Sequence, residues 1–250
     1  MWWEDERLTL VQHVQWHEMK DLFNPTAVVD IIDLSRTYPG PPEVMALRPC
    51  SLSIDRGDYV AITGPSGSGK STLMSLLGLL DIPTTGRYLL DGIDVAALSD
   101  SDRSAIRSRK IGFVFQSFHL LGYRSVIDNV ELGLTYQGVK RRERRSRAND
   151  ILDHVGLLPR RDALCSNLSG GEKQRVAIAR TLIRKPALVL CDEPTGNLDT
   201  DTGNQILELI GELNSQGLTI IVITHDPEVA ARAGQILTIR DGVLSEAVRA

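Results

Sequence analysis

Cysteine is scarce in this chain, with three in 250 residues. Cys50, Cys165 and Cys191 are widely spaced, odd in number and form no C-x-x-C pair. That pattern argues against a disulfide framework or a thiolate zinc cluster, and points to a reducing cytosol. Long apolar runs are missing as well. The longest, such as Ala187 to Cys191 and Ile220 to Ile223, fall far short of the ~18 residues a spanning helix needs. A secretory leader is not expected, because Glu4, Asp5 and Glu6 stand where one requires positive charge. Excess positive charge is absent too: 28 Lys and Arg face 32 Asp and Glu, a net charge of −4. This argues against a nucleic-acid binder that relies on its overall charge. What remains, 42% hydrophobic and 24% charged, suits one globular domain with room for an inserted lobe.

The patterning alternates strands and helices. Residues 1–26 read as an N-terminal extension in which Leu8, Val11, Trp16, Met19, Leu22 and Phe23 form a loose helical stripe, and Met19 offers an internal start. Val28 to Leu34 reads as a strand, Pro39 to Pro42 as a turn, and Ser51 to Ile54 as a half-buried strand. Tyr59 to Thr63, Leu188 to Cys191 and Thr219 to Ile223 read as buried strands. Helices are expected over Leu73 to Leu80, Asp100 to Lys110, within Ser125 to His154, and over Gly170 to Ile183. Alternation of this kind argues for an α/β fold with a mostly parallel sheet.

Between a predicted strand and a predicted helix stands Gly64-Pro65-Ser66-Gly67-Ser68-Gly69-Lys70-Ser71-Thr72, which fits G-x-x-x-x-G-K-[ST]. Glycines let the backbone wrap with its N–H groups inward, and the helix N-terminus adds positive potential. Lys70 is placed to reach the β- and γ-phosphates of a nucleoside triphosphate, and the Ser71 hydroxyl to meet Mg²⁺. Downstream, Ala187 to Cys191 runs into Asp192 and Glu193. In a chain with a phosphate loop, Asp192 is the expected Mg²⁺ partner, and Glu193 the group that polarises an attacking water.

Leu168-Ser169-Gly170-Gly171-Glu172-Lys173-Gln174-Arg175 resembles the signature motif of ATP-binding-cassette (ABC) ATPases. The resemblance implies a head-to-tail dimer in which Ser169, Gly170 and Gly171 close on ATP held by the other subunit. It also assigns roles to Tyr38 (stacking on adenine), Gln116 of the Q-loop (Mg²⁺ and water), Asp199 of the D-loop, and His225, the switch histidine beside the γ-phosphate. The implied fold is a P-loop ABC ATPase core with a parallel central sheet, a small antiparallel β lobe and an inserted helical lobe. Expected boundaries are 27–246 for this domain, about 117–167 for the helical lobe, and 247–250 for a tail. The implied activity is ATP hydrolysis driving a separate membrane permease, at the cytoplasmic face of the membrane.

Glu193-Pro194-Thr195-Gly196-Asn197-Leu198-Asp199, with Phe118-His119-Leu120-Leu121, resembles one branch of that family, which includes lipoprotein-release, macrolide-export and cell-division ATPases. Gly122, Arg124, Gly133, Ala163 and Cys165 depart from that branch at positions around the expected docking groove and before the signature. Lys140 to Arg147 gathers six cations against one acid. It reads as a solvated helical face, or alternatively as a contact for anionic lipid or an acidic partner loop. No aromatics interleave there for base stacking, so nucleic acid is not expected. A soluble ABC ATPase acting on DNA or ribosomes is the competing reading. Too few residues separate Lys70 from Leu168 for the coiled-coil arm of DNA-repair members.

Overall fold

A computed structural model describes residues 24–249. The expected helical stripe before Asn24, and Met19 with it, lie outside the described residues. A four-stranded antiparallel sheet is ordered β2-β1-β4-β5, from β1 (Ala27–Tyr38), β2 (Val44–Asp55), β4 (Thr85–Leu90) and β5 (Ile93–Asp94). A six-stranded sheet is ordered β10-β9-β3-β8-β7-β6. Its strands are β3 (Tyr59–Thr63), β6 (Ile111–Phe115), β7 (Leu188–Asp192), β8 (Thr219–Ile223), β9 (Gln235–Arg240) and β10 (Val243–Arg249). All of its pairings are parallel except that of β10 with β9.

The central strands read as continuous apolar runs because both faces of the sheet are covered. Val60, Ile62, Leu188, Leu190, Ile221 and Ile223 pack on one side with α1 (Lys70–Leu77) and the antiparallel sheet. Tyr59, Ala61, Val189, Cys191, Ile220 and Val222 pack on the other with α5 (Gly170–Leu182) and α6 (Thr200–Ser215). The strict one-in-two alternation between these sets is the strand period made visible.

Two of the expected helices have the predicted limits or nearly so. The charged helix is α2 (Asp100–Lys110), started by Ser99, whose hydroxyl accepts from the Asp102 N–H. Residues 117–167 hold α3 (Val126–Glu131), a six-residue 3₁₀ turn (Leu132–Gln137), α4 (Arg141–His154) and two shorter 3₁₀ turns. A four-residue helix, α7 (Pro227–Ala230), follows β8.

Several limits differ from those read in sequence. β2 begins at Val44 rather than Ser51, since it pairs along the full length of β1. α1 starts three residues before the apolar run, at Lys70, because the phosphate-type loop feeds directly into its first turn. β10 continues through Arg249, paired with Gln235, so the sheet extends past residue 246. Among the described residues no helix is long and apolar enough to cross a membrane.

Candidate functional site

The site is built on one rung of the parallel sheet. Phe115 pairs with Asp192, Asp192 with Ile223, and Ile223 with Ile62, so β6, β7, β8 and β3 end level with one another. The residues just beyond that rung are Gln116, Glu193, Thr224 and the loop from Gly64. Ligands of open α/β sheets gather at the carboxyl ends of such strands.

The loop from Gly64 to Gly69 closes on itself, with the Ser68 N–H donating to Pro65 O (3.3 Å) and the Gly242 N–H to Ser68 O (2.9 Å). Gly64 has φ +150°, and a Cβ there would lie 2.1 Å from Ile239 O, so only glycine lets the backbone pass β9. Pro65, Ser66 and Gly67 are exposed, Thr72 and Lys70 half-buried, and Ser71 exposed. Gly69 caps α1 with no side-chain acceptor and no acid in the first turn. The Lys70 ammonium donates to Gly64 O (2.7 Å) and Pro65 O (2.8 Å), turned into its own loop.

Asp192 ends β7. Burial, and then the neighbouring Glu193 carboxylate, push its carboxyl above the usual range, with Lys70 pulling partly back. Glu193 follows at φ +44°, a left-handed conformation costly for a residue with a side chain. It is held there by the end of β8 and the two residues after it. The Glu193 N–H donates to Ile223 O (2.9 Å), the Thr224 hydroxyl to Oε2 (2.9 Å), and the His225 N–H to Oε1 (3.0 Å). His225 Nδ1 lies 2.7 Å from the same Oε1. Gln116 meets the loop after Glu193: its Nε2 lies 3.4 Å from Asn197 Oδ1, and Asn197 Nδ2 donates to Gln116 O (3.0 Å).

Other sequence-predicted residues sit apart from this cluster. Ser169 caps α5 in a reciprocal capping box with Glu172, which Arg160 also grips at 3.2 Å. A Cβ on Gly171 would lie 2.3 Å from Thr202 Cγ2, and one on Gly170 2.9 Å from Leu198 Cδ2, so this turn packs directly on the start of α6. Asp199 caps α6, and the Thr202 N–H (3.0 Å) holds its carboxyl below the usual range. Tyr38 donates its hydroxyl to Asp81 Oδ2 (2.8 Å) and carries the Arg36 guanidinium 4.5 Å over one ring face. No hydrogen bond or ion pair among the described residues joins the Ser169 turn or Tyr38 to the loop from Gly64.

The residues at the strand ends fit a nucleoside triphosphate with a divalent cation. The open N–H groups at the start of α1, the loop held by Gly64, and the buried Ser68 hydroxyl with no partner form a cradle for phosphate. Asp192 and Ser71 offer the hard oxygen donors that Mg²⁺ shares with phosphate oxygens. Three contributors were not picked out from sequence. Thr224 stands within the strand-end motif, and Asn197 within the stretch before Asp199, so their positions were readable but their partners were not. Gln174, wholly buried on α5, carried no signal of its partners at all.

Comparison with known proteins identifies the family. The family model described as "ABC transporter" matches residues 47–196. An uncharacterised ABC transporter ATP-binding protein of Bacillus subtilis (strain 168), YvrO, is 51% identical over 213 residues, covering 85% of this chain and 93% of that protein. The macrolide export ATP-binding/permease protein MacB of Chlorobaculum tepidum is 49% identical over 218 residues, and there the match spans only 33% of the relative's length. Among solved structures, the ATP-binding cassette MJ0796 in a dimeric post-hydrolysis state with ADP and Pi has a TM-score of 0.77 at 39% identity, covering 87% of this chain and 98% of that one. CbiO1 of Clostridium perfringens has a TM-score of 0.79 at 30% identity, covering 88% and 87%. From the sequence motifs through the sheet to these relatives, one conclusion holds: the chain belongs to the ABC transporter family, as an ATP-hydrolysing, nucleotide-binding ATPase.

Proposed function

We propose that ATP is hydrolysed at the strand ends of the six-stranded sheet, with Glu193 as the base and a second ABC ATPase subunit completing the site. The observation that carries this reading is the grip on Glu193: both carboxylate oxygens are held by Thr224 and His225, next to Asp192, at the mouth of the loop from Gly64. A base held this tightly can take a proton from water at a fixed point. The triphosphate lies along Gly64 to Thr72, and Lys70 leaves the carbonyls of Gly64 and Pro65 to meet the β- and γ-phosphates. Bound Mg²⁺ supplies charge neutralisation at those oxygens. Ser71, Asp192 and the Gln116 amide are the residues that hold it. His225 donates toward the charge that develops on the γ-phosphate.

Ser169 is exposed, Gly170 half-buried and Gly171 buried at a helix start that, among the described residues, makes no hydrogen bond to the loop from Gly64 of its own chain, which suits a phosphate presented to Ser169 by a second subunit. Asp199 sits at the same edge, capping α6. Adenine stacks, in this reading, on the Tyr38 ring face opposite Arg36. The domain runs from about residue 27 through the end of β10 at Arg249, with the helical lobe at about 117–167, and works against a membrane permease at the cytoplasmic face of the membrane. Mechanotransmission or export is the mode favoured by the likeness to MacB.

The test is nucleotide binding and phosphate release by the purified protein with and without Mg²⁺. Lys70→Ala is expected to weaken ATP binding at least about tenfold, ~1.4 kcal/mol, with phosphate release lost. Unchanged ATP affinity in that variant would contradict the assignment of the loop.

A further inference from the structure

Gln174 lies on the first turns of α5, five residues past Ser169, and is fully buried. Its Nε2 donates to Pro194 O at 2.5 Å and stands 3.5 Å from Phe115 O. Phe115 immediately precedes Gln116, and Pro194 immediately follows Glu193. One amide group therefore touches the main chain beside both residues. Its Oε1 has no hydrogen-bond partner and is shut off from water. An unpaired buried acceptor is a cost that an apolar side chain of equal length would avoid. Turning the amide over would set Oε1 against Pro194 O, so the group is held in place by its N–H arm.

The same helix reaches the chain beyond Gln116. Arg180 donates to Phe118 O (2.9 Å) and His119 O (2.5 Å), two residues at φ +50° and +48°. Glu193 shares that left-handed conformation. Such residues keep it only where their surroundings fix it. Pro194 O, held by Gln174, is the first acceptor after Glu193.

We propose that Gln174 is a positioning residue for hydrolysis. It links the helix that starts at Ser169 to the strand ends bearing Gln116 and Glu193, so that closure of a second subunit's ATP on Ser169 sets where Glu193 stands. The inference rests on the reading of Glu193 as base and of Ser169 as a contact across the dimer.

Two variants of the full chain test it. Gln174→Met keeps the length and removes the amide. Its kcat for ATP hydrolysis is expected to fall about tenfold or more, with the Kd for ATP and the thermal midpoint little changed. Gln174→Glu keeps the shape; its buried carboxyl donates to Pro194 O when protonated and repels it when ionised. The kcat of this variant, divided by that of the parent, is expected to fall as pH rises. This second ratio decides the matter if Gln174→Met fails to fold. A kcat within twofold of the parent in folded Gln174→Met, a loss matched by lost ATP affinity, or a ratio independent of pH would overturn the inference. Each of those results leaves the parent's hydrolysis intact, whereas failure of the underlying reading would show as a parent that does not hydrolyse ATP.

Discussion

At the scale of single residues, the site concentrates cost in two adjacent acids. Glu193 takes a left-handed backbone, and Asp192 carries a carboxyl that burial and its neighbour push upward. The second effect has a sign that can be measured. A carboxyl whose pKa is raised on folding favours the folded state while it is protonated, and that contribution is lost as pH rises through the raised value. Without nucleotide, Asp192→Asn is therefore expected to have the higher thermal midpoint at neutral pH, with the gap closing as pH falls toward the ordinary carboxylate range near 4. Hydrolysis should be lost in the same variant. A midpoint difference that does not change with pH would contradict the role given to burial. The pair of acids was legible in sequence, because an apolar strand ran straight into them. The partners of Glu193 were not, since Thr224 and His225 follow β8 and meet it only through the parallel pairing of β7 with β8.

At the scale of elements, α5 ties together several parts of the chain around the site. Its start is fixed by the Ser169–Glu172 capping box, its first turn lies against α6 at Gly171, and Arg180 holds the residues after Gln116. Gly171→Ala places a methyl 2.3 Å from Thr202 Cγ2, a stiff β-branched atom with little room to turn away. The expected loss is on the order of 1–3 kcal/mol in chemical unfolding, largely recovered in the double variant Gly171→Ala/Thr202→Ala. An additive double variant would show that the contact between α5 and α6 is not the cause.

Element positions were readable wherever one period dominated. Asp100–Lys110 and Thr219–Ile223 match their expected limits because charge or β-branched residues leave a single choice. The 3₁₀ turn at Leu132–Gln137 breaks the helical stretch expected between Ser125 and His154. The break follows from packing: Gly133 lies against Ile183 and the Arg180 carbonyl, a contact that no local pattern announces. The basic stretch is likewise more than a solvated face. Lys140, Arg141 and Arg142 are exposed, yet Arg145 reaches Asp128 (3.1 Å) and Glu131 (3.2 Å) on α3. Part of that positive charge therefore holds the helical region together.

At the scale of the whole molecule, the described chain brings together the loop from Gly64, Asp192, Glu193, Gln116 and His225, and leaves Ser169, Gly171 and Asp199 at a separate edge. Motif order marks both groups as candidates in sequence. Their separation is a property of the fold, fixed by which strands lie side by side. Two separate groups in one chain are what the proposed function requires, a site completed by a second subunit. The most direct test is the assembly state and turnover of Glu193→Gln with ATP and Mg²⁺, followed by light scattering and phosphate release. The expected result is a stable ATP-bound dimer, with hydrolysis slowed on the order of 10²–10⁴-fold, the span of general-base catalysis. Full turnover in that variant, or ATP binding with no dimer, would contradict the account.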